Sequence, residues 1–257
     1  MQPLDRAVAL LTGASSGIGF ESAAQLAEAG VPAVVINGRD PAKGEAAIAA
    51  LRQRAPRSEF RFRAADVTDA AQASALVDFA VAEFGRIDVL VNCAGGDHAP
   101  KLFHDTRRDE IAAVLSHVMT GALYCSHAAL PTMAAQRGGS IVNIASDAAK
   151  VPTPGEAVIG AAMAGILMFT RTLAMEAKRD GIRVNCLTPS IVQGTRSYDM
   201  LMAQPFSGKL FKKAAAAAHL GVVTPADIAP MVVYLASPAA ARTTGQGISI
   251  NSGISAG

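Results

Sequence analysis

The chemically most suggestive part of the chain is a glycine-rich stretch at residues 12–19, in which glycines are combined with small and hydroxyl-bearing residues. An apolar run at 7–11 precedes it and predicts a buried strand, and apolar residues at helical spacing follow it up to Gly30. Glycines between a strand and a helix let the backbone approach a pyrophosphate, which the helix N–H groups and the helix dipole attract. We therefore predict a phosphate-binding turn formed by Thr12, Gly13, Ser15, Ser16, Gly17, Ile18 and Gly19.

The elements that would position this turn alternate between strands and helices. Apolar or alternating runs predict strands at 7–11, 33–37, 60–64, 87–92, 140–144, 183–187 and 247–250. Two of the predicted helices are long, at about 107–135 and 155–179. This order predicts an α/β fold: a doubly wound, Rossmann-type parallel sheet of about seven strands, with helices on both faces. It also favours nucleotide binding over the alternative that the glycine stretch is an ordinary strand-to-helix loop.

Ligands of such sheets bind beyond the carboxyl ends of the strands, and these ends therefore predict the site. Besides the glycine turn they comprise 37–39, 66–67, 92–96, 145–150 and 188–195. A segment at about 191–223 interrupts the alternation and is interpreted as a substrate-covering lid, or as a helical hairpin at a subunit contact. No change in composition marks a second domain, so residues 1–257 are predicted to form a single dinucleotide-binding domain with this insertion.

Composition argues against several classes of function. About half of the 257 residues are apolar (51%) and the formal net charge is only +2, which disfavours a nucleic-acid partner. Five scattered histidines predict no metal site, and no apolar run reaches the roughly 18 residues that span a bilayer, so no membrane partner is expected. An acid near the first residue disfavours a secretory signal, and three widely spaced cysteines favour core thiols in a cytoplasmic protein.

Several motifs, in the right order and at the right distances, resemble the short-chain dehydrogenase/reductase family in its single-domain form. They cover essentially the whole chain and are the glycine turn, Asp66-Val67, Asn92-Cys93-Ala94-Gly95, the run 141–146 and Arg183-Val184-Asn185. The resemblance implies that the glycine turn holds a pyrophosphate and that Asp66 and Val67 contact the adenine. It places Asn92, Ala94 and Gly95 beside the adenosine ribose, and it adds Pro189 and Thr195 to the cofactor site.

The end of the second strand decides between the two nicotinamide dinucleotides. In the family, an acid there accepts hydrogen bonds from the ribose of NAD, whereas a nearby arginine accommodates the phosphate of NADP. This chain has Asn37 at the expected acidic position and Arg39 two residues later. The resemblance therefore favours NADP mildly over NAD, with a solvated turn residue as the alternative interpretation of Arg39.

The resemblance breaks at the residues that transfer protons. The family uses a serine, a tyrosine thirteen residues later, a lysine four residues after that, and an asparagine in the preceding long helix. Ser146 keeps the serine position, whereas Ile159, Met163 and Val118 stand at the other three. Ordinary tyrosine-dependent chemistry is therefore expected to be absent or weak, and the loss of the lysine is expected to reduce cofactor affinity. His98 and Tyr198 are the foremost substitutes for the tyrosine, ahead of Asp147, Lys150 and His117.

Three functions stay open on the sequence. The first is a divergent NAD(P)-dependent oxidoreductase that acts on a carbonyl or alcohol with hydrophobic bulk. The second is a catalytically silent ligand-binding or partner subunit, and the third is a non-redox enzyme such as an isomerase, dehydratase or cyclase. Since long helices commonly form dimer contacts in this family, we expect a homodimer or homotetramer, or an assembly with an active relative.

Overall fold

The computed structural model describes residues 2–95 and 98–256 and contains one sheet of seven parallel strands. In chain order the strands are β1 (Val8–Thr12), β2 (Ala33–Gly38), β3 (Glu59–Ala64), β4 (Val89–Asn92), β5 (Gly139–Ile144), β6 (Ile182–Pro189) and β7 (Gly247–Ile250). They lie side by side in the order β3-β2-β1-β4-β5-β6-β7. The predicted fold class is confirmed, because helices cover both faces of this parallel sheet.

Nine α-helices occur in the described part of the chain. They are α1 (Gly17–Glu28), α2 (Pro41–Arg54), α3 (Ala70–Phe84), α4 (Arg108–Leu115), α5 (Gly121–Ala135), α6 (Ala157–Ala177), α7 (Arg196–Ala203), α8 (Pro205–Ala217) and α9 (Pro225–Ala236). Apolar residues of α1, α2 and α9 pack on one face of the sheet, and those of α3, α5 and α6 pack on the other. Every residue of β1, β2, β4 and β6 is buried, which explains their nearly continuous apolar runs.

The strand order reverses between β1 and β4. The chain builds the sheet outward from β1 through β2 to β3 and then crosses to β4 on the other side of β1. The connections after β1 and β4 therefore leave the sheet toward opposite faces and separate at the carboxyl edge. Open α/β sheets bind their ligands in the crevice that this reversal creates.

The helix predicted at 107–135 is interrupted by a wide turn. One helical rod runs from Arg108 to Ala135, but residues Ser116–Thr120 form a π-turn between α4 and α5. The hydroxyl of Thr120 donates to the carbonyl of Ser116 at 2.7 Å. Such turns insert an extra residue and re-aim neighbouring side chains, and Val118 in this turn is buried, at 5% exposure.

Two helical segments, Arg108–Ala135 and Ala157–Asp180, are long and apolar enough to span a membrane by length and composition. The sequence prediction counted only uninterrupted apolar runs and therefore missed them. Both segments pack against the sheet, where Cys125, Met133 and Leu173 belong to one buried cluster. Only 33% of each most apolar window is buried in the chain, so much of both helices faces outward.

Residues of the predicted insertion at about 191–223 form the helix pair α7 and α8. Thr195 begins α7 as its N-cap: its hydroxyl oxygen accepts a hydrogen bond from the Tyr198 N–H at 3.2 Å and donates to the Val192 carbonyl at 2.7 Å. The Ser207 hydroxyl donates to the Leu201 carbonyl at 2.7 Å and so joins the two helices. The insertion is thereby fixed over the carboxyl edge of the sheet.

Candidate active site

A cavity of about 790 Å³ opens at the carboxyl edge of the sheet. The turns after β1, β2, β4 and β5 form its floor, and α7 and α8 cover it. The structure brings most of the predicted site residues together here, namely Gly13, Ser15, Ser16, Gly17, Ile18, Asn37, Arg39, Asp66, Val67, Ala94, Gly95, His98, Ser146, Pro189, Thr195 and Tyr198. The other predicted residues, Thr12, Gly19 and Asn92, lie outside the described lining of the cavity.

The glycine turn has the geometry of an anion cradle. Gly13 has a φ of 59°, and a Cβ on this residue would lie 2.7 Å from the Cα of Ala94. Gly19 lets α1 pack closely on the turn, because a Cβ there would lie 2.7 Å from the Gly13 carbonyl oxygen. Ser16 precedes α1 without a side-chain hydrogen bond to its first turn, which leaves that turn to bind a ligand anion.

Thr12 supports the cavity from behind. It is buried, and its hydroxyl oxygen accepts hydrogen bonds from the N–H groups of Cys93 at 3.1 Å and Ala94 at 3.2 Å. The two turns after β1 and β4 are thereby joined. Thr12 therefore holds the cavity wall, and its predicted part in cofactor binding stays a prediction.

Asn92 is also buried behind the wall, where it joins a network of polar side chains. Its Nδ2 donates to the Ser126 hydroxyl at 3.0 Å and to Oδ1 of Asn143 at 2.8 Å. Asn143 in turn donates to the hydroxyl of Thr170 at 2.9 Å. The sequence placed Asn92 beside the ribose, whereas its side chain links β4 and β5 to α5 and α6.

At the end of β2, a side-chain amide is hydrogen-bonded to the backbone, and cationic side chains nearby are exposed. The Asn37 Nδ2 donates to the carbonyls of Arg63 and Ala65, each at 3.1 Å. Arg39 lines the cavity from an exposed position, as does Lys43 at the start of α2. An anionic group bound near the end of β2 would therefore meet the cations of Arg39 and Lys43, together with the carboxylate of Asp40, which also lines the cavity and lies 3.9 Å from the Lys43 ammonium.

Asp66 and Val67 form the cavity wall after β3. The Asp66 Oδ1 accepts hydrogen bonds from the backbone N–H of Thr68 at 3.0 Å and from its hydroxyl at 2.7 Å. These hydrogen bonds lower the pKa of Asp66 and keep its carboxylate charged. Val67 is held against α5, since a Cβ on Gly121 would lie 2.7 Å from its Cγ2.

Ser146 follows β5 and lies in the cavity beside apolar residues of α6. Its hydroxyl oxygen accepts a hydrogen bond from the N–H of Ala148 at 3.2 Å, and its own proton can be donated to a ligand. Ile159 and Met163 line the same cavity. Both also pack with the buried Val118 in one apolar cluster.

Tyr198 is the described tyrosine that lines the cavity. The sequence contains three tyrosines. The other two are Tyr124 on α5 and Tyr234 on α9, which are 37% and 41% exposed and lie elsewhere. A phenol could therefore reach a ligand in this cavity only from the cover formed by α7.

His98 and His117 form a stacked pair at the cavity wall. Their ring centroids are 5.2 Å apart with an interplanar angle of 18°, and Nε2 of His98 lies 3.2 Å from Nδ1 of His117. The charge of His117 also contributes to the lowered pKa of Asp66, which places the pair toward the β3 side of the cavity. One ring proton can be shared between these two nitrogens.

Asp147 and Lys150, the weaker sequence candidates, have structural partners. Asp147 is 6% exposed, and its Oδ2 accepts hydrogen bonds from Nδ2 of Asn251 at 3.2 Å and from the hydroxyl of Ser255. These bonds fold the C-terminal residues against the cavity. Lys150 donates from its Nζ to the hydroxyl of Ser249 on β7 and is outside the described lining of the cavity.

Sequence reasoning missed Glu156, which also lines the cavity. It is the N-cap residue of α6, and burial raises its pKa to about 7, while a hydrogen bond with Thr153 opposes this shift and the charge of Asp147 adds to it. The available signal was an acid three residues before Ile159 in an otherwise uncharged stretch. A carboxyl group with this pKa can both donate and accept a proton near neutral pH.

The fold and the site define the class: a Rossmann-type oxidoreductase with its ligand cavity at the carboxyl edge of the sheet. The family described as Enoyl-(Acyl carrier protein) reductase matches residues 13–255. The chain is 36% identical over 250 residues to the short-chain reductase protein NovJ of Streptomyces niveus, covering 96% of this chain and 93% of that protein. It is 33% identical over 255 residues to a 3-oxoacyl-[acyl-carrier-protein] reductase of Synechocystis sp., covering 99% of both chains.

Solved structures agree with these sequence relatives. Levodione reductase superposes with a TM-score of 0.91 at 27% identity, covering 96% of this chain and 97% of the other. A short-chain type dehydrogenase/reductase from Mycobacterium ulcerans has a TM-score of 0.89 at 28% identity, covering 96% and 89%. The chain therefore belongs to the short-chain dehydrogenase/reductase family. Membership implies the use of NAD(P) and a small-molecule substrate.

Proposed function

We propose that this chain binds NADP and interconverts a carbonyl and an alcohol with hydrophobic bulk, without the tyrosine-dependent proton transfer of its family. One observation carries the proposal. A single cavity combines the glycine turn and Ser146 with apolar side chains, Ile159 and Met163, on the helix that would supply the tyrosine and lysine. The crevice of an oxidoreductase is thus combined with a changed set of proton-transfer groups.

The residues present fit a dinucleotide. The close approach of Gly13 to Ala94 leaves no space for a side chain, and the uncapped start of α1 offers N–H donors to a pyrophosphate. Asp66 and Val67 would contact the adenine, and Ala94, Gly95, Pro189 and Thr195 would line the remainder of the cofactor. The nicotinamide ring supplies or accepts the hydride when the cofactor is bound.

The preference for NADP rests on the end of β2. Asn37 directs its Nδ2 to two backbone carbonyls, so no carboxylate from this position accepts the hydroxyls of an NAD ribose. Arg39 and Lys43 both line the cavity and suit a 2′-phosphate. Met163 lacks the ammonium that the family lysine provides, so we expect cofactor affinity below that of lysine-containing relatives.

The substrate class rests on the cover of the cavity. Met200, Leu201, Leu210 and Phe211 from α7 and α8 line the cavity from its cover. Burial of apolar ligand surface against such residues is favourable by about 25 cal/mol per Å². A carbonyl or alcohol with a sizeable hydrophobic group therefore fits better than a small hydrophilic one.

A second candidate function is a catalytically silent subunit. The observation that favours it is the outward face of α5 and α6, on which Tyr124, Met168 and Met175 are exposed. This face suits a second copy of the chain, in a homodimer or homotetramer, or an active relative.

The free thiols of Cys93, Cys125 and Cys186 support a cytoplasmic site of action.

The test is a gain of function in the double variant Ile159→Tyr with Met163→Lys. We expect the wild-type protein to show little tyrosine-type reduction of a panel of hydrophobic ketones with NADPH, and the double variant to gain about 100-fold or more. The matched control is Thr172→Tyr with Glu176→Lys, which places the same i, i+4 pair at two exposed positions of α6 outside the described lining of the cavity. An unchanged rate in the double variant, with intact folding and NADPH binding, would contradict the proposed cause of weak activity.

A further inference from the structure

Glu156 is an ionisable group that the family resemblance leaves without a role. It lines the same cavity as Ser146 and Ile159. It is the N-cap residue of α6 and precedes Ile159 by three residues. Glu156 therefore stands about one helical turn before the position from which a family tyrosine would act, in the same cavity.

The surroundings of Glu156 limit contact with water. The preceding Gly155 has a φ of 87°, and a Cβ on it would lie 2.5 Å from the Phe206 ring of α8 and 3.3 Å from Cβ of Pro100. The Gly155 carbonyl also accepts a hydrogen bond from the N–H of Lys101 at 2.9 Å. The cover and the 100–101 segment thus close over the start of α6, and this closure explains the burial that raises the pKa of Glu156.

A second carboxylate lies beside Glu156 in a different environment. Asp147 accepts hydrogen bonds through its Oδ2 from Asn251 and Ser255, and its Oδ1 is buried without a hydrogen-bond partner among the described residues. Its negative charge favours the neutral form of Glu156. Pairs of carboxyl groups in contrasting environments are found at sites of proton transfer.

The other titratable groups of the cavity are less well placed for this task. His98 and His117 bond to each other on the β3 side, and Tyr198 lines the cavity from the cover formed by α7. Glu156 is an acid that lines the same cavity as Ser146 and immediately precedes the apolar first turns of α6.

We propose that Glu156 is a catalytic residue, the group that gives a proton to the substrate oxygen while Ser146 donates a hydrogen bond to it. This assignment rests on the proposed use of NADP. The carbonyl carbon gains a hydride from the reduced nicotinamide, which is oxidised, and the carbonyl π-electron pair takes the proton from the Glu156 carboxyl group. An alcohol and the Glu156 carboxylate result, and water returns a proton to the carboxylate. The reverse reaction starts from the carboxylate, which then removes the alcohol proton.

The test compares Glu156→Gln with Glu176→Gln, the same change at an exposed position near the end of the same helix. Three readouts are used: NADPH binding by fluorescence, single-turnover reduction of hydrophobic ketones, and the infrared C=O stretch of protonated carboxyl groups without cofactor. We expect Glu156→Gln to bind NADPH within about twofold of wild type and to reduce ketones about 100-fold more slowly. We also expect it to lose an infrared band that titrates near pH 7 in wild type. Glu176→Gln should match wild type in all three.

The pH profile adds a signature that a structural role would not produce. Ketone reduction should fall about tenfold per pH unit above pH 7, and alcohol oxidation should rise as the pH approaches 7. Glu156→Asp should retain a pH-dependent rate, whereas Glu156→Gln should have a flat one.

Distinct outcomes separate this proposal from the proposed function. Absence of NADPH binding would overturn the proposed function, while the infrared titration, which needs no cofactor, would still show whether Glu156 holds the proton. NADPH binding with no reduction of any ketone, or an unchanged single-turnover rate in Glu156→Gln, would overturn the role of Glu156. A loss of rate in Tyr198→Phe or His98→Asn, with Glu156→Gln unaffected, would overturn it as well and assign the proton to those residues.

Discussion

Residues at the start of α6 differ in their ability to exchange a proton with a ligand. Ile159 and Met163 cannot exchange a proton, whereas Glu156 holds one up to a pH of about 7 because burial disfavours its charged form. The chain therefore keeps one titratable group, Glu156, close in sequence to the two positions at which the family tyrosine and lysine are replaced by apolar residues. Its energetic cost to folding can be measured separately from any activity.

The first prediction concerns stability against pH. Below the ordinary pKa of 4.5 both the folded and unfolded chains hold the Glu156 proton, so the carboxyl group costs nothing. As the pH rises toward 7, the unfolded chain loses this proton first, and stability falls by about 1 to 3 kcal/mol. Glu156→Gln should therefore gain about 1 to 3 kcal/mol relative to wild type between pH 4.5 and pH 8, measured by urea denaturation at both values. The control Glu176→Gln should show no such gain, and an equal pH dependence of Glu156→Gln and wild type would contradict the burial of an ionisable group at 156.

The second prediction concerns Arg39 and the choice of cofactor. Arg39→Ala removes a cation from the cavity edge, and we expect the Kd for NADPH to rise about tenfold while the Kd for NADH changes less than twofold. Calorimetry measures both, and Arg52→Ala, an exposed position on α2 outside the described cavity lining, is the matched control. An equal loss of NADPH and NADH affinity would show that Arg39 does not read the 2′-phosphate.

At the scale of elements, periodicity predicted the strands well because buried parallel strands are nearly continuous apolar runs. The π-turn at Ser116–Thr120 was not predictable, since all its residues are compatible with an α-helix. The sequence also could not show where an amide points. The Asn37 amide donates to backbone carbonyls at the end of β3 and the Asn92 amide to Asn143 of β5, and these partners depend on the strand order of the folded sheet.

The third prediction tests the buried polar network that joins β4, β5, α5 and α6. Asn143→Ala leaves the Asn92 amide and the Thr170 hydroxyl each without one buried partner. Each such loss costs about 1 to 3 kcal/mol, so we expect the free energy of unfolding to fall by about 2 to 4 kcal/mol. Denaturant titration measures this, with the exposed Gln53→Ala on α2 as the control. A loss below about 0.5 kcal/mol would contradict a stabilising network.

At the scale of the molecule, a rigid sheet carries the glycine turn, and a helix pair covers the remaining cavity. The sequence located this edge correctly because all seven strands run parallel, so their carboxyl ends meet on one side. Glu156 escaped notice because its raised pKa depends on burial in the folded chain and on the nearby charge of Asp147, neither of which a motif reveals. The oligomeric state is the other property of the whole molecule that can be tested.

The fourth prediction concerns the outward face of α6. Met168 and Met175 are 58% and 60% exposed, and a second chain that covers them would remove this apolar surface from water. The double variant Met168→Glu with Met175→Glu should shift the protein from oligomer to monomer in sedimentation velocity. Leu220→Glu, at an 85% exposed position elsewhere, should not. A wild-type monomer, or an oligomer that resists the double variant, would contradict this interface.

The most direct test of the whole account is a calorimetric titration of the purified protein with NADPH and NADH. We expect NADPH to bind in the cavity, and we expect the cations at the end of β2 to make it bind more tightly than NADH. We expect saturable binding of one NADPH per chain, at an affinity that rises in the Met163→Lys variant. No binding at millimolar NADPH would contradict the central claim that the glycine turn and the cavity still hold a dinucleotide.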